Sequence, residues 1–177
     1  INEKNISHPL QLGYEIVDQF LNVDKKDSIE IFQNKIIKIP VCYDLTLGID
    51  LQNLSIEKKV SIDEIIKLHY TTIYTVYCLG FMPGFAYMGS VHKNIQTPRH
   101  SKPRANVFAG SVGIAGEQTG IYPMNSPGGW QIIGRTPIQT FNKNASILAT
   151  LKMGNKVEFY PITLEAFNET NEHAITL

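Results

Sequence analysis

The sequence lacks the features that mark several classes of protein. No apolar run approaches the roughly 20 residues that a membrane-spanning helix needs, so we expect no membrane association of that kind. Acidic and basic residues balance at 16 each, which leaves no net charge to favour a nucleic acid or a membrane surface as partner. The first residues have neither the basic nor the apolar segment of a secretory signal peptide. They also lack an initiator Met, so we expect a fragment or a processed form.

Cysteine is scarce, and histidine is scattered. The two cysteines, Cys42 and Cys78, each lie in an apolar stretch and form no metal-ligand or disulfide pattern. We therefore expect two small buried thiols in a reducing cytoplasm. The five histidines show no paired spacing typical of zinc ligands. This predicts no metal site and leaves the histidines hydrogen-bonding or surface roles.

Two short stretches approach known motifs but fail on single residues. Residues 84–89 have the glycine spacing of a phosphate-binding loop, yet Ser90 stands where the lysine is needed. Residues 109–113 approach the nucleophile elbow of serine hydrolases, yet Ala109 replaces the first glycine. No acid close in sequence could orient a histidine there. We reject both motifs.

Periodicity predicts one early helix followed mostly by strands. Apolar residues at helical spacing predict a helix over 7–22. Ser61 and Glu64 form a capping box that predicts a short helix over 62–69. Pro40 is expected at a sheet edge or a strand start. Stretches rich in β-branched and aromatic residues predict strands at Ile36–Tyr43, Thr71–Leu79 and Lys156–Ile162. Many short strands and few helices favour a mainly β fold, closed or nearly closed, over βαβ units.

Residues 80–137 differ from the rest of the chain in composition. They hold ten of the 13 glycines, six of the nine prolines and the only tryptophan, which is typical of short strands joined by tight turns. They also hold all three arginines, Arg99, Arg104 and Arg135, and two lysines against one acid, a local charge of five minus one, or +4. Since a planar guanidinium suits bidentate binding of carboxylate or phosphate, we expect an anion site. The alternative is ordinary solvated charges balanced by acids elsewhere.

Other residues of the same block complete a candidate small-molecule site. Glu117 is its only acid, and nearby cations weaken it as a general base. We expect Glu117, Gln118 and Tyr122 to act at the catalytic centre by orienting the substrate. Ser126 and Trp130 join the arginines as candidate substrate- or ATP-binding residues. An apolar wall is expected from Phe81, Pro83, Phe85 and Tyr87, although each aromatic residue is also compatible with simple core.

Three stretches of this block resemble the KipI family. They are GFMPGFAYMGS (Gly80–Ser90), TPRHSKPR (Thr97–Arg104) and AGSVGIAGEQTGIYPMNSPGGWQIIGRTP (Ala109–Pro137). Weaker similarity at Ile39–Asp44 and in the terminal MGNKVEFYPI extends the resemblance to most of residues 37–162. The chain departs from the usual residues of the family at Phe108 and in Tyr87–Val91. These departures concern loop details and leave the Arg, Gln, Tyr and Trp positions unchanged.

The resemblance implies a cyclophilin-like β-barrel with a few short helices, a mainly β fold. A remnant helix of an N-terminal α/β domain would precede it. We expect the end of that domain and a linker at 1–35, the barrel at 36–165 and a C-terminal tail at 166–177. The motifs give no indication of prolyl isomerase activity, since fold alone does not set function.

The family includes the B subunit of bacterial ATP-dependent 5-oxoprolinase, a kinase inhibitor, and domains associated with allophanate hydrolase and urea amidolyase. The resemblance favours an enzyme component that converts 5-oxo-L-proline to L-glutamate, active only with the C-like and A-like subunits of 5-oxoprolinase as partners. ATP, with Mg²⁺, would be a cosubstrate, and no tightly bound cofactor is expected. Arg104 and Arg135 would hold the substrate carboxylate or the ATP phosphates.

Two other functions stay open at this point. The first is a KipI-like inhibitor that grips the dimerisation helices of a sensor histidine kinase, with Trp130 and the aromatic residues of 81–87 as interface anchors. The second is an accessory domain of allophanate hydrolase or urea amidolyase. All of these functions imply a cytoplasmic protein with no nucleic-acid or membrane partner.

Overall fold

The computed structural model describes residues 36–144 and 149–172. These lie in the second of the two units into which the chain divides, Asn34–Leu177. The helix expected over 7–22 lies outside the described residues. The domain boundaries drawn from the sequence stay predictions.

Short strands and three helices make up the described residues. The strands are β1 (Ile36–Cys42), β2 (Ile73–Leu79), β3 (Ala86–Gly89), β4 (Arg104–Val107), β5 (Ser111–Ala115), β6 (Gln118–Ile121), β7 (Ser126–Gly128), β8 (Gln131–Arg135) and β9 (Lys156–Ile162). The helices are α1 (Leu51–Lys58), α2 (Ile62–Tyr70) and α3 (Leu164–Glu172), and one 3-10 turn spans Lys93–Ile95.

Seven strands close into a barrel in the order β1-β8-β5-β6-β3-β2-β9, while β4 and β7 pair with each other outside it. Neighbouring barrel strands are antiparallel except β1 and β9, which run parallel and close the barrel. The mainly β barrel with a few short helices that the sequence predicts is confirmed.

Two prolines lie inside the parallel pair. Pro40 is in β1 and Pro161 in β9, opposite Tyr160 and Val41 respectively. β1 pairs with β8 only at its last residue, and β9 pairs with β2 only over 156–158. Each proline therefore lies where its strand is paired on one side, so the missing N–H removes no bond to a second strand. Pro40 is thus not at the strand start, but it lies where β1 is paired on one side only, which agrees with the edge position expected from the sequence.

Apolar side chains fill the barrel and form a smaller cluster beside it. The barrel core includes Ile39, Val41, Leu54, Tyr74, Val112 and Phe159. The second cluster consists of Phe85, Val107, Tyr122 and Ile132, with Met82, Tyr87 and Trp130 packed against it. Because Val107 belongs to β4 and Ile132 to barrel strand β8, this cluster attaches the β4–β7 sheet to the barrel.

The buried carboxylate of Asp50 makes a second attachment between the β4–β7 sheet and the barrel. Asp50, just before α1, is 1% exposed, and its Oδ2 accepts a hydrogen bond from the Ile132 N–H at 2.6 Å. Its Oδ1 accepts a hydrogen bond from the Arg104 guanidinium on β4. Arg104 also donates to the Trp130 carbonyl oxygen at 3.4 Å. Asp50 therefore ties the start of α1, the barrel and the β4–β7 sheet together.

The helices show where local sequence signals succeed and fail. The helix start predicted at Ser61 is confirmed, since its hydroxyl accepts from the Glu64 N–H at 3.2 Å at the start of α2. The sequence patterns predict no helix at α1, whose N-cap residue Asp50 makes no side-chain cap. Asp is a common N-cap residue, but here its carboxylate is bonded to Arg104 and Ile132 instead of to the first N–H groups of the helix. The sequence patterns also predict no helix at α3.

The two cysteines differ in exposure, which corrects the expectation of two buried thiols. Cys42 is buried in β1, but Cys78 is exposed on β2. Strict alternation from the buried Tyr74 and Val76 would turn Cys78 inward. A register shift between Val76 and Cys78 breaks the alternation and turns Cys78 outward.

A fully buried histidine links α2 to the barrel interior. His69 Nδ1 lies 2.8 Å from the Tyr43 hydroxyl, and Nε2 lies 2.9 Å from the Thr119 hydroxyl. The Thr119 hydroxyl donates to the Gly113 carbonyl oxygen at 3.1 Å, so it accepts from Nε2–H. Nδ1 then accepts from the Tyr43 hydroxyl. The ring is neutral, and burial lowers the pKa of His69 to about 3.

We expect the free energy of unfolding to fall as the pH falls below about 6.5, because His69 takes up a proton there only in the unfolded chain. The contribution of the neutral His69 ring to the free energy of unfolding is complete above that pH and is lost progressively toward pH 3. From pH 7.5 to pH 5 it should remove about 2 kcal/mol, measured by urea unfolding. His69→Gln does not titrate and should lose most of this difference. An unchanged pH dependence in that variant would contradict the assignment.

Asp50→Asn should lower the free energy of unfolding by about 2–4 kcal/mol, because it leaves the partly buried Arg104 without its counter-charge. Glu158→Gln is the matched control, since it breaks an exposed pair with Lys38 at 3.5 Å. The control should cost less than about 1 kcal/mol. Urea unfolding measures both variants, and similar losses would show that the Asp50 pair is no special attachment.

Candidate functional site

An open pocket lies where the second cluster reaches the surface. Its volume is about 270 Å³. Its walls come from β3, β7 and the loops around β4 and β8. The lining residues are Phe81, Tyr87, Arg99, Pro103, Tyr122, Pro127, Gly128, Gly129 and Trp130. We call it the aromatic pocket.

Edge-to-face ring contacts fix the walls of the aromatic pocket. The ring centroid of Phe85 lies 5.3 Å from those of Tyr122 and Trp130, both nearly perpendicular to it. Tyr87 lies 4.8 Å from Phe85 and 5.9 Å from Trp130. Such contacts favour one orientation of each ring. Phe85, predicted as a wall residue, is buried and supports the wall from behind.

Phe81 is held at the rim by a strained turn. Its φ is +66°, and the Met82 N–H donates to the Gly80 carbonyl oxygen at 2.7 Å across it, which makes a γ-turn. A non-glycine residue in this region costs on the order of 1–3 kcal/mol. The side chain is 63% exposed, with its ring edge-on to Phe85 at 5.6 Å and to Tyr122 at 6.5 Å. The γ-turn therefore places an exposed aromatic ring at the rim of the pocket.

Tyr122 is buried and brings a hydroxyl group to the pocket. A side chain at Gly128 would clash with that hydroxyl, so the close approach of β7 requires glycine there. Burial raises the pKa of Tyr122, and a hydrogen bond with the Trp130 backbone partly opposes this effect. The phenol is therefore protonated at neutral pH, able to donate a hydrogen bond but unsuited to act as a base.

A second, smaller pocket lies beside the first. Its volume is about 110 Å³. The lining residues are Thr46, Leu47, Ile49, Arg104, Asn106, Val107, Phe108, Ser111, Ile132 and Arg135. We call it the arginine pocket. Arg104 lines this pocket and also donates to the carbonyl oxygen of Trp130, a residue of the aromatic pocket. The Arg104–Asp50 pair thus connects the two pockets.

His100 lies next to the same carboxylate. Its Nε2 is 3.3 Å from Asp50 Oδ1 but is out of line for a hydrogen bond, and it is buried without another partner in the described residues. Its backbone N–H donates to the Gly129 carbonyl oxygen at 2.6 Å. No acid lies close to His100 in the sequence, yet the fold brings the Asp50 carboxylate next to its ring.

The structure divides the predicted binding residues between the two pockets. Arg99, Tyr122, Trp130 and Phe81 meet at the aromatic pocket. Arg104 and Arg135 lie in the arginine pocket instead. The residue that sequence reasoning missed is Asp50, since nothing in its local sequence indicates that it meets residues of β4 and β8.

The other predicted residues lie away from the aromatic pocket. Glu117 is exposed in the β5–β6 turn, and Gln118 begins β6, whereas Tyr122 follows its other end. At the rise of an extended strand, Glu117 and Tyr122 are roughly 16 Å apart. Pro83 lies in the exposed turn before β3. Ser126 begins β7, and its hydroxyl oxygen is buried without a partner in the part of the chain described. One small ligand cannot contact Glu117 and Tyr122 together.

The local charge excess is smaller in space than in sequence. Asp50 lies outside residues 80–137 in sequence but neutralises Arg104. Across 36–144 and 149–172, Arg99 and Arg135 pair with no acid. The expected anion-binding character thus rests on these two arginines, one in each pocket.

Two further features concern the described residues only. None of their helices is long and apolar enough to cross a bilayer. They bring together no group of three or more His, Cys, Asp or Glu side chains that could hold a metal ion.

Comparison with known proteins shows the family. The family model described as "Carboxyltransferase domain, subdomain C and D" matches residues 9–151. The chain is 42% identical over 140 residues to the B subunit of 5-oxoprolinase from Bacillus subtilis, covering 79% of this chain and 58% of that protein. It is 47% identical over 128 residues to the Haemophilus influenzae protein of the same name, covering 72% and 60%. It therefore spans 58% and 60% of the lengths of these curated relatives.

A solved structure supports the same family assignment. The conserved uncharacterized protein PH0987 from Pyrococcus horikoshii matches with a TM-score of 0.73 and 44% identity, covering 90% of this chain and 74% of that one. The resemblance stated from the sequence motifs is confirmed. This chain belongs to the family of carboxyltransferase domains, subdomain C and D, and is similar to the B subunit of 5-oxoprolinase.

Proposed function

We propose that this chain is part of the B subunit of a cytoplasmic ATP-dependent 5-oxoprolinase and that its aromatic pocket binds the lactam substrate. The observation that carries the proposal is an aromatic pocket of about 270 Å³ lined by Arg99, which pairs with no acid among residues 36–144 and 149–172. The chain is also 42% and 47% identical to proteins of that name. The C and A subunits would complete the enzyme that converts 5-oxo-L-proline to L-glutamate.

The chemistry of a lactam explains why ATP is required. Its amide is resonance-stabilised, so water attacks it slowly. Transfer of the ATP γ-phosphoryl group to the lactam carbonyl oxygen creates a reactive carbon and releases ADP. Attack by one water opens the ring, and a second water releases phosphate, so that each turnover consumes one ATP and two waters. The enzyme must therefore hold the lactam in a fixed orientation beside the phosphoryl donor.

The aromatic pocket suits the lactam better than the nucleotide. Its volume lies just below the roughly 300 Å³ at which pockets for drug-sized ligands begin. The flat five-membered ring can lie against Trp130 and Tyr87, and its carboxylate can pair with Arg99. The Tyr122 hydroxyl is a protonated donor suited to the lactam carbonyl oxygen. We assign ATP with Mg²⁺ to a surface completed by the C subunit.

The lining of the aromatic pocket supports a shared active site. Its nine residues include no carboxylate and no histidine. Arg99 and Tyr122 can bind and orient a substrate, but neither is suited to remove a proton at neutral pH. A group that moves a proton would have to come from outside these nine residues. This agrees with a protein that is active only in assembly.

Reconstitution tests the proposed function directly. The full B subunit, mixed with the C and A subunits, should hydrolyse ATP only when 5-oxoproline is present and should form glutamate in equal amount. The assembly that lacks the B subunit is the control. A complete assembly that hydrolyses ATP without forming glutamate from 5-oxoproline would contradict the proposal.

Arg99→Gln should raise the KM for 5-oxoproline about tenfold with a smaller effect on kcat, because an exposed charge-assisted hydrogen bond to the substrate is lost. Trp130 is the only tryptophan, so quenching of its fluorescence reports binding directly. Lys102→Gln removes a charge from the same exposed loop and should leave the affinity within about twofold. Equal losses in the two variants would indicate only a general electrostatic effect.

Phe81→Gly and Phe81→Ala separate backbone strain from the ring contact. Both remove the ring from the rim and should weaken substrate binding by a similar factor. Only glycine adopts φ +66° freely, so Phe81→Gly should be more stable than Phe81→Ala by about 1 kcal/mol, measured by urea unfolding. Unchanged binding in both variants would remove Phe81 from the substrate site.

A further inference from the structure

The two cations of the arginine pocket differ in what balances their charge. Arg104 is paired with the buried carboxylate of Asp50. Arg135, on β8, pairs with no acid among residues 36–144 and 149–172. It is half-buried, and burial lowers its pKa. A partly desolvated cation without a counter-charge favours binding of an anion.

Arg135 is held in a fixed orientation by its surroundings. Its Nε–H donates to the Ala109 carbonyl oxygen at 2.7 Å. Its guanidinium carbon lies 5.5 Å from the centre of the Phe108 ring and 5.8 Å from that of Phe167 on α3. Within 36–144 and 149–172, the guanidinium uses one of its five N–H donors, so its terminal nitrogens can contact a ligand. The group is thus pre-organised for a bidentate contact.

The loop that supports Arg135 is itself tightly fixed. Gly110 has a φ of +82°, and a side chain there would clash with the Thr136 carbonyl oxygen. The Ala109 N–H donates to the Asn125 side-chain oxygen at 2.8 Å. The backbone carbonyl that receives the Arg135 Nε–H is therefore set by the fold, with no ligand needed.

The rest of the arginine pocket is mainly apolar. Apolar side chains that line it include Leu47, Ile49, Val107, Phe108 and Ile132. Its volume of about 110 Å³ is far below that of pockets for drug-sized ligands, roughly 300 Å³ or more, so a nucleotide does not fit. A free phosphate would leave these apolar walls without a contact. A carboxylate with a short hydrocarbon chain can pair with Arg135 and pack its chain against the apolar walls.

We propose that the arginine pocket is a separate binding site for a small aliphatic monocarboxylate. Its carboxylate makes a bidentate contact with Arg135, and its chain lies against Ile49, Phe108 and Ile132. The site is distinct from the aromatic pocket, to which it is joined through the Arg104–Asp50 pair. This assignment does not depend on the 5-oxoprolinase function.

Nuclear magnetic resonance separates the two pockets in one experiment. The chain has three arginines and one tryptophan, so the Nε–H signal of Arg135 and the indole N–H signal of Trp130 report on the arginine and aromatic pockets respectively. Butyrate should shift the Arg135 signal saturably with little change at Trp130. 5-Oxoproline should shift the Trp130 signal, so that failure of one proposal is distinguishable from failure of the other.

Matched ligands test the chemical class. Butyramide has the same shape without the charge and should bind at least tenfold more weakly than butyrate. Inorganic phosphate, at matched ionic strength, should also bind more weakly. Phosphate binding as tight as that of butyrate would overturn the monocarboxylate assignment. The absence of a saturable butyrate shift at Arg135 would overturn the site.

Variants test the residues. Arg135→Gln should weaken butyrate binding at least tenfold, whereas Lys102→Gln should leave it within about twofold. If urea unfolding shows that Arg135→Gln is destabilised, Ile49→Glu provides the second test. Ile49 is 51% exposed, so the fold tolerates a new side chain there, and the introduced carboxylate should occupy the arginine and abolish butyrate binding. Retained binding in Ile49→Glu would contradict the proposal.

Discussion

The buried carboxylate of Asp50 is the constraint on which the candidate sites depend. It accepts from the Ile132 backbone on the barrel and from the Arg104 side chain on β4, so it joins the separate two-stranded sheet to the barrel. A buried carboxylate is stable only if its charge and hydrogen-bonding capacity are satisfied. The need to satisfy Asp50 therefore fixes where β4 lies, and with it both pockets.

This attachment gives the two arginines of β4 and β8 different roles. Arg104 has a structural role, because it neutralises Asp50 and donates a hydrogen bond to the Trp130 carbonyl oxygen. Arg135 is oriented by aromatic rings and a backbone carbonyl oxygen, which leaves its charge unbalanced within the described residues. The aromatic pocket instead obtains its cation from the exposed Arg99. The residues that line both pockets are better suited to bind and orient a ligand than to transfer a proton.

Sequence reasoning predicted the elements whose signals are local. The capping box at Ser61 and Glu64 starts α2, and the strand predicted over 156–162 is β9. It missed α1, because this short helix buries only Leu51 and Leu54 and so shows no clear helical periodicity in the sequence. It placed Cys78 inside, because a register shift in β2 is invisible in the alternation of residue types.

By itself the sequence determined the family, the mainly β barrel and the block of residues, 80–137, that supplies most of both pockets. These follow from local composition, turn residues and motif identity, which are present in the chain before it folds. Only the tertiary structure decided that Glu117 and Tyr122 lie at opposite ends of β6, and that Arg99 and Arg135 serve different pockets. The physical reason is that closure of the barrel sets the distances between strands, and the pairing of Asp50 with a residue far away in sequence cannot be read from either residue alone.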